Sequence, residues 1–589
     1  MCGILAIRNG PVVHHRQLAS LRRRGPDAIG YWVSPDISLC HTRLSIIGLD
    51  ERGTQPLENE RHVIGFNGEI YNFEEIRSSL GACKVQVTGA TDTEVLLHAW
   101  TKWGADILAR LTGFWAFTVY DKQERTLTLV RDQLGIKPLY YWHTPERTIV
   151  SSLLRTVVET AQEIPELDYA ALSEYVRYQF TFGDKTFFKP VKKVLPGHIV
   201  QIHLPSGKLT TRCYEDILKP PEGSEADLTP ETVQKTTEIV VNCCQKSTIS
   251  DTSFTTFCSG GLDSSLITAI TRPDVAYHCN YTDSDCNETF FARQVIDHIH
   301  SNGGNTRLMT VNADEEFDIC QRVASIIEDF DEPAIGSVIF PLDDLLSRVK
   351  TRYKVILTGT GGDELFAGYV RYQLALGECF QDSYRMLFEK MAPIENAAGR
   401  FEMTHAKGNT SLYAFYDGQA ERTFREAFDD CGGGDLEAML TFDRRYFLAG
   451  LLNIDDKMCG RHSLESRPSL LHQDLVRHVV RIKADELLRN KDLKYLLKCA
   501  ALDYLPESVT RRTDKMGFTT PIGDFVNRNA HKIREQIMDS RFRHFYNLKT
   551  SGFHAENKYS RETFGLLMLD TWLNRYAQRP HSELLFPAV

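Results

Sequence analysis

The run Ser253-Phe254-Thr255-Thr256-Phe257-Cys258, rich in β-prone residues, breaks straight into Ser259-Gly260-Gly261-Leu262-Asp263-Ser264-Ser265. A strand ending on two glycines and opening a helix near Asp263 leaves backbone N–H groups converging on one point, a nest suited to phosphate. The pattern recurs downstream. Tyr353-Lys354-Val355-Ile356-Leu357 reads as a strand, and Thr358-Gly359-Thr360-Gly361-Gly362-Asp363-Glu364 follows it. Two glycine-rich loops at the carboxyl ends of buried strands predict a parallel α/β sheet with its ligand at that edge.

The chain contains no GxxxxGK[ST] sequence. With no lysine in the first loop, phosphate would be gripped by backbone and hydroxyl groups at Ser259, Gly260, Gly261, Ser264 and Ser265, with Thr358 and Gly359 opposite. Asp263 and Asp363, one on each loop, are candidate ligands for Mg²⁺ bridging the phosphates of ATP, since that ion prefers hard oxygen donors.

The other end of the chain carries a different signal. It opens Met1-Cys2-Gly3-Ile4. Loss of Met1 would put a thiol and a free α-amine on one residue, and an amine of pKa near ~8 can serve as base for its own nucleophile. Arg43, Asn67-Gly68-Glu69 and Asp92 follow within the first hundred residues. This region reads as strand-rich. Trp115–Tyr120 and Thr126–Val130 flank a polar turn and predict a hairpin. Thr91, with Glu94 in the capping-box position, predicts a helix start. Leu204-Pro205-Ser206-Gly207 reads as a turn and Pro220–Glu225 as the best linker candidate. Three segments are expected: residues 2–205, a linker at 206–228, and 229–589 with a helical extension at its end.

At 589 residues the chain should form more than one domain. A net charge of −10 argues against non-specific nucleic-acid binding. No apolar run reaches the ~18 residues needed to span a bilayer, so no membrane partner is expected, and the opening residues lack the form of a signal peptide. The 14 cysteines include no CxxC pair, which reads as reduced thiols in a cytoplasmic protein.

Several segments together resemble the glutamine-dependent asparagine synthetase family of class II amidotransferases. They are Arg24-Gly25-Pro26-Asp27, His41–Ile46, Asn67–Asn72, Arg131–Tyr140, Ser259–Ser265, Gly362–Tyr369 and His462–Arg467, in that order. The resemblance covers nearly the whole length. It implies an α+β N-terminal-nucleophile sandwich (αββα) followed by an α/β parallel-sheet ATP pyrophosphatase domain. Cys2 would attack the side-chain amide of glutamine to form a thioester. Asn67 and the Gly68 N–H would supply the oxyanion hole, Arg43 would pair with the substrate carboxylate, and Asp92 would accept from its ammonium, with Glu69 beside them. ATP would activate a carboxylic acid, aspartate first among the candidates, as an acyl-adenylate. Ammonia would reach it through an apolar tunnel. Lys494 matches the lysine near the departing pyrophosphate, with Lys491 as competitor, and Glu465 and Arg467 would shape the acid site. A homodimer is left open.

The chain departs from the family pattern at specific places. Thr360 stands where an acidic residue is frequent, and Pro468-Ser469-Leu470-Leu471-His472 replaces the usual run after Arg467. His278–Tyr281 and Ser152-Leu153 also differ. These are expected to cluster around the acid and nucleotide rather than the glutaminase site, so amidation of another acid is the main alternative. A phosphoribosyl or hexosamine amidotransferase would lack Ser259–Ser265, a β-lactam-type synthetase would lack Cys2, and a scaffold would need neither.

Overall fold

The computed structural model describes the chain except residues 10–14, 88, 90, 282–286, 334–335, 379–383, 513–519, 548–552, 554, 556–560 and 578–589. Its first part is built on two six-stranded sheets. One runs, edge to edge, Val191–Lys193, Tyr140–His143, Thr148–Ser151, Gly3–Arg8, Ser38–Arg43 and Ala28–Val33. The other runs Lys208–Cys213, His198–His203, Thr126–Arg131, Gly113–Asp121, His62–Ile70 and Leu57–Glu58.

Side-chain alternation explains the layering. Along Gly113–Asp121, Ala116 and Tyr120 meet Ala6, Leu39 and Val150 between the sheets. Trp115, Phe117 and Val119 turn the other way, onto Phe73–Ala82 and Asp92–Trp103. Helices His15–Arg22 and Leu154–Ala161 cover the opposite sheet, completing the αββα sandwich. Strands buried on both faces read as continuous apolar runs, which is why Gly113–Asp121 shows little polar alternation. The hairpin joining Gly113–Asp121 to Thr126–Arg131 is present. Thr91 caps Asp92–Trp103 by accepting from the Glu94 N–H, whereas the Glu94 carboxylate turns to the Gly89 N–H at 3.0 Å rather than closing a capping box.

One boundary needs correction. Residues 206–228 were expected as linker, yet Lys208–Cys213 pairs with His198–His203 along its whole length and forms the edge of the second sheet. The Ser206-Gly207 turn belongs to that hairpin, so the sheet extends to Cys213.

The second part is a five-stranded parallel sheet in the order Arg307–Asn312, Val275–Asn280, Phe254–Phe257, Val355–Thr358, Glu465–Pro468. Both glycine-rich loops leave central strands at their carboxyl ends. The closing helix Glu562–Tyr576 packs on Ile319–Phe330 and places Trp572 between Phe187 and Phe188 of the first part. Buried ion pairs also cross the seam, notably Arg24 to Asp456 at 2.6 Å. No helix among the described residues is long and apolar enough to cross a membrane, and every described cysteine is free.

Candidate functional site

There are two candidate sites. The first is a small pocket holding Cys2, Arg43, Gly68, Glu69 and Asp92. Along His62–Ile70, Val63 faces the inter-sheet core while Ile64 and Phe66 face the helices. The period of two therefore turns Asn67 inward, toward the start of Gly3–Arg8. There the Cys2 backbone N–H donates to Asn67 Oδ1 at 3.0 Å. The Asn67 side-chain nitrogen is buried with no hydrogen-bond partner in the described structure, so a donor stands ready beside the thiol. Gly68 must be glycine, because a Cβ would lie 2.1 Å from the Phe114 carbonyl oxygen.

Arg43 is held by the carbonyls of Asp50 at 2.6 Å, Ile47 at 3.2 Å and Gly48. It makes no ion pair among the described residues, which leaves its charge for a ligand. Gly53 makes room for it, as a Cβ there would fall 2.0 Å from the guanidinium. Asp92 accepts from the Ile70 N–H at 3.1 Å and the Thr93 N–H at 2.7 Å. Burial pushes its carboxyl up to about 6, against those hydrogen bonds. Burial likewise pushes the Cys2 thiol up. Met1 is itself buried, with its amine 3.3 Å from the Leu464 carbonyl and drawn down to about 5 by desolvation. While Met1 is present the Cys2 nitrogen is an amide, so the amine-as-base reading requires its removal.

Glu69 lines the same pocket and also reaches across the seam. One carboxylate oxygen accepts from Arg467 of the second part at 2.7 Å, and the other is buried without a hydrogen-bond partner among the described residues. Burial pushes Glu69 well up, opposed by the Arg467 charge. Arg467 also grips Glu465 at 2.8 Å and the carbonyls of Ser247 and Ile249. Glu465 itself lines the Cys2 pocket. Glu465 and Arg467 were expected to shape the acid site, but Glu465 lines the glutaminase pocket and Arg467 bonds Glu69 in the wall of that pocket. Ser466, between them on the strand, points the opposite way.

The second site lies at the carboxyl edge of the parallel sheet. Gly260 has φ +81°, and a Cβ on it would meet Phe291 at 2.6 Å. Gly261 precedes Leu262–Thr271, whose first turn has no side-chain cap, so its N–H groups remain open to an anion. The hydroxyls of Ser259 and Ser264 bond each other at 2.9 Å. Ser265, grouped with them from sequence, is instead fully buried and has no hydrogen-bond partner among the described residues. The two loops touch, since a Cβ on Gly359 would lie 2.7 Å from the Asp263 Cβ.

Lys494 Nζ sits between Asp263 at 2.5 Å and Asp363 at 2.8 Å. Burial lowers its affinity for a proton, yet the two carboxylates outweigh that and hold it above the usual lysine range. Its backbone is left-handed, φ +58°, a strained setting typical of functional positions. Lys491 is half exposed and paired with Glu378. One cation reaching both aspartates shows that their oxygens converge, and a pair of hard donors fits Mg²⁺.

The departures sort unexpectedly. Ser152 accepts from the Ile4 N–H at 3.0 Å inside the first part. His472 stacks on Tyr71 with ring centres 4.8 Å apart and bonds Ser247 at 2.9 Å; burial draws it down to about 3. Both contradict the expected clustering around acid and nucleotide. His278 bonds the Cys258 carbonyl at 2.9 Å, directly beneath the first loop. A further cavity of about 320 Å³ opens between the two parts, with Arg131, Lys193, Tyr175, Phe180, Arg444 and Asn453 in its wall.

Comparison with known proteins follows the same division. Residues 1–215 match the family model described as a glutamine amidotransferase domain, and residues 235–574 match that of asparagine synthase. The chain is 28% identical to asparagine synthetase [glutamine-hydrolyzing] 1 of Bacillus subtilis (strain 168), covering 93% of this chain and 91% of that one. It is 25% identical to asparagine synthetase [glutamine-hydrolyzing] 3 of the same organism, covering 84% and 82%. It is also 29% identical to the amidase chyE of Penicillium rubens, covering 60% of this chain and 54% of that one.

Proposed function

The chain belongs to the asparagine synthase family, and from that premise we propose that it amidates aspartate, using ammonia cut from glutamine at Cys2 and ATP to activate the acid. It is a glutamine-hydrolysing, ATP-dependent ligase. The observation that carries the fuller reading is the strand Glu465–Pro468. Glu465 lines the Cys2 pocket, Arg467 holds Glu69 in its wall, and Ser466 faces the nucleotide loops, so a single strand joins two chemistries.

In the first site, Arg43 and Asp92 bind the two charged ends of glutamine while Cys2 attacks the amide carbon. Negative charge developing on the amide oxygen is met by the Asn67 side-chain nitrogen and the Gly68 N–H, donors already in place and therefore costing little reorganisation. In the second site, the N–H groups at the start of Leu262–Thr271 and the Ser259 and Ser264 hydroxyls hold the phosphates. Asp263 and Asp363 would hold Mg²⁺, which neutralises phosphate charge when bound. Lys494 stands next to the same oxygens, placed to accompany pyrophosphate as it leaves. Ammonia is protonated and lost in water, so a dry passage across the seam is part of the proposal.

The acceptor is tested by offering single carboxylic acids with ATP and Mg²⁺ and measuring pyrophosphate release. Aspartate should stimulate it strongly. Silence with aspartate and robust release with another acid would favour a second reading, the same chemistry on a different carboxylic acid. His278, bonded to the Cys258 carbonyl beneath the first loop, and Thr360 in the second loop, both departures from the family pattern, support that reading.

A further inference from the structure

The loop after Val355–Thr358 carries Thr360 where relatives of this kind frequently have an acidic side chain. The site is nevertheless not without a carboxylate. Thr360 Oγ1 donates to Asp455 Oδ2 at 2.6 Å. Thr358 Oγ1 donates to the same oxygen at 3.1 Å and Ser466 Oγ at 3.2 Å. Three hydroxyls, from two adjacent parallel strands and the loop that follows the first of them, thus converge on one atom.

Asp455 comes from elsewhere in the chain, on the helix Leu448–Arg461. Its neighbour Asp456 turns away and locks Arg24 across the seam. Asp455 is only partly buried, and its second oxygen, Oδ1, takes no hydrogen bond among the described residues. A carboxylate whose one oxygen is saturated by three donors is fixed in orientation, and its other oxygen is presented at the carboxyl edge of the sheet. Burial pushes its pKa up, with the Thr360, Thr358 and Ser466 hydroxyls opposing.

We propose that Asp455 is a catalytic carboxylate of the amidation step, replacing the acidic side chain absent at Thr360. The inference rests on the acyl-adenylate reading above. Ammonia uses its lone pair to form the C–N bond at the acyl carbon. One N–H proton passes to Asp455 Oδ1, and the acyl C–O bond to phosphate breaks with its electron pair leaving on AMP. Thr358, Thr360 and Ser466 act as positioning residues that aim Oδ1.

The test separates activation from amidation. Asp455→Asn keeps size and can still accept from the hydroxyls. Acid-dependent exchange of labelled pyrophosphate into ATP needs no ammonia and should persist. Amide formation from ammonium should fall about 100-fold or more, the usual contribution of a positioned base. Thr360→Glu in the Asp455→Asn background should recover much of that loss. Amide formation within threefold of wild type in Asp455→Asn would overturn the proposal. So would equal losses of exchange and amidation with no recovery from Thr360→Glu, which would make Asp455 a group for binding acid or shaping the loop. Absence of acid-dependent exchange in the wild-type enzyme would instead overturn the acyl-adenylate reading itself, so the two failures are distinguishable.

Discussion

Replacing Arg467 by methionine keeps much of its volume but strips the cation from between two buried carboxylates. Arg467 is fully buried and lies 2.7 Å from Glu69 and 2.8 Å from Glu465. Removing one partner of such a cluster leaves uncompensated charge in a low dielectric, which costs about 3–5 kcal/mol. At ~2 °C per kcal/mol for a large domain, the melting temperature should drop ~6–10 °C. The pH dependence identifies the cause. Without Arg467 the folded-state pKa of Glu69, already raised by burial, rises further. A carboxyl raised in the fold costs nothing below its unfolded pKa near ~4.3 and destabilises increasingly as pH climbs through the folded value. The gap between variant and wild type should therefore be wider at pH 8 than at pH 5.5, measured by differential scanning calorimetry. A melting temperature within 1 °C of wild type, on the order of measurement error, would refute the reasoning. So would a gap that does not change with pH.

Other outcomes follow from the same geometry. Asn67→Ala should lower glutamine hydrolysis by about 10²–10³ in kcat with little change in KM, because its donor matters chiefly in the transition state; steady-state glutaminase kinetics check this. The KM for glutamine should rise as pH falls through about 6, where Asp92 becomes neutral, and Asp92→Asn should erase that limb of the profile. Asp263→Asn and Asp363→Asn should each abolish acid-dependent pyrophosphate release while glutamine hydrolysis continues; wild-type release in either variant would remove them as Mg²⁺ ligands.

Much of the fold was legible because its signals are local. The hairpin at Gly113–Asp121, the Thr91 cap and both strand–glycine–helix turns depend on neighbours within a few residues. The edge strand Lys208–Cys213 was missed because its residues are mostly exposed and polar; pairing with His198–His203, not composition, makes it a strand. The contacts across the seam were illegible for a different reason. That Arg467 would meet Glu69 depends on residues 398 positions apart, and that Thr360 would find Asp455 depends on residues 95 apart. Both are set by how the parallel sheet docks on the sandwich. The stack of His472 on Tyr71 has the same origin. A sequence shows which side chains could do chemistry, but the alternation of one strand, Glu465–Pro468, decides which of the two sites each one serves.

The central claim, two linked chemistries in one chain, is tested most directly by following nitrogen. Glutamine labelled with ¹⁵N in its side-chain amide is supplied with unlabelled ammonium, ATP, Mg²⁺ and the acid that supports pyrophosphate release. The account predicts product amide enriched in ¹⁵N beyond the ammonium pool, with AMP formed in step, and only unlabelled amide from Cys2→Ala. Unlabelled product from the wild-type enzyme, or ADP in place of AMP, would contradict it.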